Sequence, residues 1–505
     1  MGDRSPAVVP GFHLSAVEWT VRPVFITIRR MRPGFLRNDS PSLAARGLVG
    51  TYTRWLLWYL LAVAVVWALG FEGVYYHPTP FYGIVRPRFD LTRWPWHGLA
   101  LGVFLAGFIL WYRRVRQADW FEGEWPAKAV RLFVAGLVVF AVVFPAALAT
   151  VREGPSGIPA PFERHDKEYI GDIGKGLSIR GLFQDYLKMH PHLSMHSKVH
   201  PPGPVALLWV FSLVTFSQGA WPLSIATILF GATAVIPLYL WVKDLAGARV
   251  ALTACSLYVV TPTIVLFTAT SADILFMPFT VTTLFLFWRA LHRKSAAYAV
   301  AAGVTYALTS LLSFSLLGIG AFFGFVGLWR LGEKGCRRAV FQTAALMLAA
   351  FVATHLAVRW WSGFDVVACF QASKAQFDTD QANLDLITPR FPGWSWKFLN
   401  PLCWLYFAGI PVSVLFLRRL VKPEAATRTL FVIFALTLVV LDLLYLARGE
   451  GERSAMYIIP FLVVPAAHMI DRIGHETRSI VPLAATVCFL AAQCWFTEMM
   501  LYTYW

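Results

Sequence analysis

Apolar runs of about 17–20 residues recur along the chain with polar connections between them, each long enough to cross a hydrocarbon core as a helix. The pattern predicts spans near 54–70, 97–112, 131–150, 250–268, 275–291, 297–313, 315–329, 340–359, 402–417, 429–446, 456–471 and 479–500. The stretch 203–242 is apolar too, but Ser217-Gln218-Gly219 and Trp221-Pro222 interrupt it. It reads as a single crossing, with one of its halves a partial or surface helix. The expected fold is all-α, a polytopic transmembrane helical bundle of about thirteen spans, with extracytoplasmic loops carrying short helices. No internal repeat stands out, and the paired interrupted halves of a secondary transporter are not visible.

One polar stretch breaks this pattern. From Arg152 to Pro204 the chain carries Glu163, Arg164, His165, Asp166, Lys167, Glu168, Tyr169 and Asp172, then His190, His192, His196 and His200, and closes on Pro201-Pro202-Gly203-Pro204. A connection this long is more often functional than idle.

Composition agrees with a membrane chain. Of its 505 residues 57% are hydrophobic and only 14% charged, against about 25% charged in soluble domains; the mean hydropathy is +0.59. The first fifty or so residues are basic and lack an apolar core of signal-peptide type, so the first apolar helix is expected to direct insertion. The net charge of +16 fits Lys/Arg bias in cytoplasmic loops, with phosphorylated lipids as a second contribution, and does not require nucleic acid. The six cysteines form no CxxC pair and read as packed hydrophobes; Cys369 and Cys403, both near one expected external loop, are the only disulfide candidate.

Basic residues orient the spans. Arg113, Arg114 and Arg116 should be cytoplasmic, as should Arg289, Arg293 and Lys294, then Arg330, Lys334, Arg337 and Arg338, and finally Arg418, Arg419 and Lys422. Segments 151–202, 360–400 and 448–455, together with Asp273, then share the opposite face.

Several residues there could carry chemistry. Asp166 and Glu168 could act as general bases on a substrate hydroxyl; the competing reading is solvated loop charges paired with Arg164 or Lys167. His192, His196 and His200 recur every fourth residue, a spacing that suits zinc on a helix. Pro191 and Pro201-Pro202 limit any such helix, no fourth ligand is apparent, and His200 suits a phosphate or hydroxyl contact better. Asp273 sits on the lip between two apolar segments, as a functional acid or as a helix cap. Arg448 and Arg453 flank Glu450 and Glu452 in a turn that could grip a lipid phosphate or pair with itself. Asp442 lies within an apolar run and has no assigned role. Trp360, Trp361, Trp394 and Trp396 read as an interfacial belt, with sugar stacking as the alternative.

Taken in order, these residues resemble the large membrane glycosyltransferases that use lipid-linked sugars, such as protein O-mannosyltransferases and the aminoarabinose transferases of lipid A. The likeness rests on Asp166-Lys167-Glu168-Tyr169, on His200-Pro201-Pro202-Gly203 opening the next span, on Asp273 about seventy residues later, and on Glu450-Gly451-Glu452-Arg453 followed by Pro460. Two features depart from it: extra spans precede the loop, and Lys167 splits the adjacent acidic pair of many relatives. The order of preference for the base is Asp166, then Glu168, then Asp172.

The resemblance implies sugar transfer from a polyprenyl-phosphate donor to an acceptor hydroxyl on a glycan, lipid or protein, with inversion, on the extracytoplasmic face of a bacterial inner membrane. It implies catalytic roles for Asp166, Glu168 and Asp273, and donor-phosphate contacts from Lys198, His200, Arg448 and Arg453. A divalent ion, if the reaction uses one, would fall to Asp166 and Asp273. The implied layout is a basic arm over 1–53, two N-terminal spans over 54–130, a glycosyltransferase-like core over 131–475 and a last span over 476–505. A transporter or flippase of a polyprenyl-linked or other anionic lipid is the rival. A transferase requires the loop acid, Asp273 and the late arginine turn to meet in one place.

Overall fold

The computed structural model describes residues 43–68, 94–117, 120, 125–387, 393–421, 424–444 and 451–500. The described residues are helical, with turns and short 3-10 segments and no strand. A backbone in hydrocarbon must satisfy its own hydrogen bonds, and helices do so within a single segment.

Eight described helices are long and apolar enough to span a membrane: Trp94–Arg116, Ala127–Glu163, Ala220–Ala246, Ala272–Arg293, Phe314–Leu331, Arg337–Ser362, Met456–Thr477 and Val481–Met499. Two broken pairs raise the number to ten if each is one span. Ala248–Tyr258 and Pro262–Thr270 meet at 54°, and Trp396–Phe407 and Ile410–Val421 at 115°. The other expected spans correspond to the 26-residue helix Leu43–Ala68, to Ala296–Leu312 with 17 residues and to Arg428–Leu443 with 16. The interrupted stretch 203–242 divides into a short helix, Gly203–Val214, and the long Ala220–Ala246. Helices Leu43–Ala68 and Ala127–Glu153 run across the expected boundaries at 53 and 130.

Burial separates inner from outer helices. Trp94–Arg116 and Arg337–Ser362 keep most of their apolar surface outward, whereas Ala272–Arg293 and Met456–Thr477 are the most enclosed. Lipid is as apolar as leucine, so the interior is held by close packing rather than by exclusion from water. Trp241, Phe322, Phe434 and Phe461 form an aromatic knot, with ring centroids 5.3–6.1 Å apart, in the offset and edge arrangements that aromatic pairs favour. Asp273 stands at the start of one of the two enclosed helices, and the turn Gly451–Ser454 leads directly into the other.

Candidate active site

The loop after Ala127–Glu153 is compact. Short 3-10 turns at Ala160–Glu163 and Tyr169–Asp172 precede the helix Ile179–Met189, which Ser178 caps by accepting from Gly181 N at 3.0 Å. Its fold is pinned by Asp172. This fully buried carboxylate accepts from Ser194 N at 3.0 Å, Ser194 Oγ at 2.7 Å and Lys175 Nζ at 2.6 Å. The same Lys175 also donates to the His192 carbonyl at 2.9 Å. Met195 N donates to the Asp166 carbonyl and His196 N to that of Lys167, tying the acidic segment to the short helix Met195–Val199.

That arrangement brings Glu168 inward and leaves Asp166 exposed. Glu168 Oε1 lies 3.2 Å from His196 Nδ1 and 3.9 Å from Arg453 Nη1. Arg453 Nε lies 3.3 Å from Asp273 Oδ2, and Arg453 Nη2 is 3.4 Å from His196 Nε2. Since a guanidinium only donates, His196 Nε2 accepts in that contact. Glu168, His196, Asp273 and Arg453 are all buried. Three segments far apart in sequence, with 77 positions from His196 to Asp273 (273 − 196) and 180 from Asp273 to Arg453 (453 − 273), therefore meet around one guanidinium, whose planar fork can address several partners at once. Ser271 places Asp273 by accepting from its backbone N at 3.1 Å.

Two aromatic groups close the cluster. Tyr169 is buried, 5.9 Å from the His196 ring and 5.7 Å from that of His200. Burial, then the charges of Asp273 and Glu168, hold its phenol well above the usual range, so it stays a donor. Burial, followed by the neighbouring His196 and Arg453, pushes His200 down to about 3. His200 is thus a neutral group at physiological pH, able to hydrogen-bond but not to supply the fixed positive charge expected of it. Its Nδ1 is buried without a hydrogen bond.

The remaining expected residues fall as follows. Lys198 is half-buried, and its ammonium makes no ion pair among the described residues. Arg448 and Glu450 lie outside the described residues. Glu452 is buried and accepts from Cys403 Sγ at 3.2 Å. Cys369 and Cys403 are both free thiols, so the disulfide candidate is set aside. His192 is exposed while His196 and His200 turn inward, and among the described residues no three His, Cys, Asp or Glu side chains are grouped to hold a metal. Asp166 and Asp273 do not fit a shared cation site, since the first is exposed and the second faces a guanidinium. Trp360 and Trp394 are exposed and Trp396 is buried, a split that fits an outer belt better than a sugar platform.

Residues 199–361 match the family described as dolichyl-phosphate-mannose-protein mannosyltransferase. The match covers about a third of the chain, 163 of 505 residues (361 − 199 + 1). The matched part begins at Val199, just before His200-Pro201-Pro202, and includes Asp273; Glu168 and Arg453 lie outside it. Among solved structures, one that is similar is the Archaeoglobus fulgidus oligosaccharyltransferase in complex with Zn and sulfate. Its TM-score is 0.40 at 16% identity, over 59% of this chain and 44% of that one, so the match spans less than half of that protein. No curated protein matches.

The sequence position of His196 does not disclose its place in the site. Its four-residue spacing offers a zinc reading that lacks a fourth ligand, whereas it bridges an acid and an arginine 285 positions apart (453 − 168).

Proposed function

We propose that the protein transfers a sugar from a polyprenyl-phosphate donor to an acceptor hydroxyl on the extracytoplasmic face. The observation that carries this reading is the meeting of Glu168, Asp273 and Arg453 in one buried cluster beneath the loop. A flippase has no need for a carboxylate held in this way.

Glu168 is the better-placed base. Its buried Oε1 has only His196 Nδ1 at 3.2 Å and Arg453 Nη1 at 3.9 Å beside it, short of a full set of donors, which leaves it able to accept a proton. Asp172 is already saturated by Ser194 and Lys175. Asp166, first in sequence preference, has the solvation of an ordinary loop charge. Arg453 faces two carboxylates, so its role is to align them rather than to clamp the donor phosphate. Asp273 helps hold that guanidinium and orients the acceptor.

The phosphate then falls to Lys198 and to helix N-termini. Gly203–Val214, Ala272–Arg293 and Met456–Thr477 begin just beyond or at the residues His200, Asp273 and Arg453, with His200 6.0 Å from Phe276. The dipole at such a helix start favours an anion. As the acceptor oxygen attacks the anomeric carbon, Glu168 takes its proton and the sugar–phosphate bond breaks. The lipid phosphate leaves with the electron pair, stabilised by charge already in place.

The finer layout belongs to the same reading. Ala296–Leu312 and Arg428–Leu443 are about 24–26 Å long at 1.5 Å per residue, close to the thickness of a thin bilayer core, and Leu43–Ala68 is longer. Counting them gives about thirteen spans, with the basic arm inside and the loop outside. The four-part division at 53, 130 and 475 follows from that count. The test is incubation of membranes with labelled polyprenyl-phosphate sugars. Label appearing on a glycan, lipid or protein supports transfer, and intact donor moved to the other leaflet without cleavage contradicts it.

A further inference from the structure

An apolar groove opens between the two helices that precede the loop. It has a volume of about 740 Å³ and runs between helices Trp94–Gln117 and Ala127–Glu153, with Val259, Val260 and Val487 behind. The two helices are antiparallel: Phe104 packs on Phe144 and Trp120 on Phe133, with centroids 5.6 and 6.0 Å apart. Trp96, near the start of the first helix, stands against Gly154 at the start of the loop, where a Cβ would come within 3.2 Å of its indole nitrogen. Arg114 lines the groove 18 residues further along (114 − 96). At 1.5 Å per residue that is about 27 Å, close to a full hydrocarbon thickness.

Charge distinguishes this groove from ordinary lipid-facing surface. Arg113, Arg114 and Arg116 end one helix, and Lys128 and Arg131 begin the next; all five are exposed. None pairs with a carboxylate among the described residues, and the described parts of these two helix ends contain no Asp or Glu. Asp119, Glu122 and Glu124 lie outside the described residues. The floor is opened by Gly136, where a Cβ would meet nothing within 4 Å. Trp111 fixes one wall by donating to Ser256 Oγ at 3.1 Å.

We propose that this groove binds an anionic glycerophospholipid from the leaflet opposite the catalytic loop, its acyl chain over Gly136 and its phosphate at Arg114. Apolar walls and a volume within the ~300–1,000 Å³ of ligand pockets suit the chain. A cluster of exposed arginines, without ion pairs among the described residues, suits the headgroup, which Arg can grip in bidentate fashion. The site is separate from the sugar-transfer cluster and does not depend on its assignment.

The test uses the full-length purified protein exchanged into nanodiscs holding equal phosphatidylglycerol and phosphatidylcholine, followed by native mass spectrometry of retained lipid. Wild type should retain phosphatidylglycerol about tenfold over phosphatidylcholine, the size expected of one charge-assisted contact. Arg114→Gln should bring that ratio close to one. Gly136→Phe should remove the bound lipid altogether, and Gly136→Leu repeats the test with a smaller group if the first variant folds poorly. Equal retention of the two lipids by wild type overturns the proposal. So does unchanged phosphatidylglycerol retention in both the Arg114 and Gly136 variants, or its displacement by equimolar polyprenyl phosphate.

Discussion

Arg453 sets the chemistry available to the residues around it. Its Nε faces Asp273 at 3.3 Å, and its Nη atoms face Glu168 at 3.9 Å and His196 at 3.4 Å. Lysine keeps the charge but cannot address three partners, so Arg453→Lys should lose most of the activity. The split between kcat and KM tells which role is lost. A residue that aligns the carboxylates should lower kcat, with the donor KM changing less. A raised donor KM with kcat little changed would return Arg453 to the phosphate. Arg453→Ala removes the guanidinium from beside two buried carboxylates and should cost about 3–5 kcal/mol in stability.

His200 gives a second test at the same scale. Its folded pKa of about 3 lies below the ordinary value of 6.5. Between those values the unfolded loop binds a proton that the folded loop does not, so stability is complete above pH ~6.5 and falls as pH drops toward 3. Proteolysis of the loop 154–202 should accelerate between pH 7 and 4.5 in wild type, and less so in His200→Gln. Equal acid sensitivity in the two would contradict a buried neutral His200.

At the scale of elements, the loop is held by a few polar contacts and one close approach. A Cβ on Gly171 would overlap the His165 carbonyl, and the backbone there cannot yield without moving Glu168. Gly171→Ala should therefore cost activity through displacement of Glu168 even where the membrane helices remain folded. Asp172→Asn weakens the contacts to Ser194 and Lys175 and should cost about 1.5–3 kcal/mol of local stability, read as faster hydrogen exchange in 169–194. Unchanged exchange would show that the loop is held elsewhere. The spacing of His192, His196 and His200 pointed to one helix face; Pro191 and the extended backbone at His200 break it. Sequence periodicity could not show that the middle histidine turns inward to an arginine from the far end of the chain.

At the scale of the molecule, the all-helical membrane architecture was legible because apolar length alone distinguishes a span. Legibility failed where a span is broken. The run near 402–417 reads as one helix, yet it bends by 115° around Ala408-Gly409, where Gly409 takes a φ of +97°. The polarity of the loop, Asp273 and the late arginine turn amid apolar sequence marked them as candidates, and the structure brings Glu168, Asp273 and Arg453 together. The choice between Asp166 and Glu168 was not, because two carboxylates two residues apart differ only in which way the folded loop turns them.

That choice is also where the account is most exposed. The decisive measurement is transfer from a labelled polyprenyl-phosphate sugar by Glu168→Gln and Asp166→Asn, each at matched protein level in membranes. The structure-based assignment predicts a loss of roughly a hundredfold or more in Glu168→Gln, the scale of general-base removal, with Asp166→Asn remaining within a few-fold of wild type. Wild-type transfer by Glu168→Gln, with the loss falling on Asp166→Asn, would contradict it.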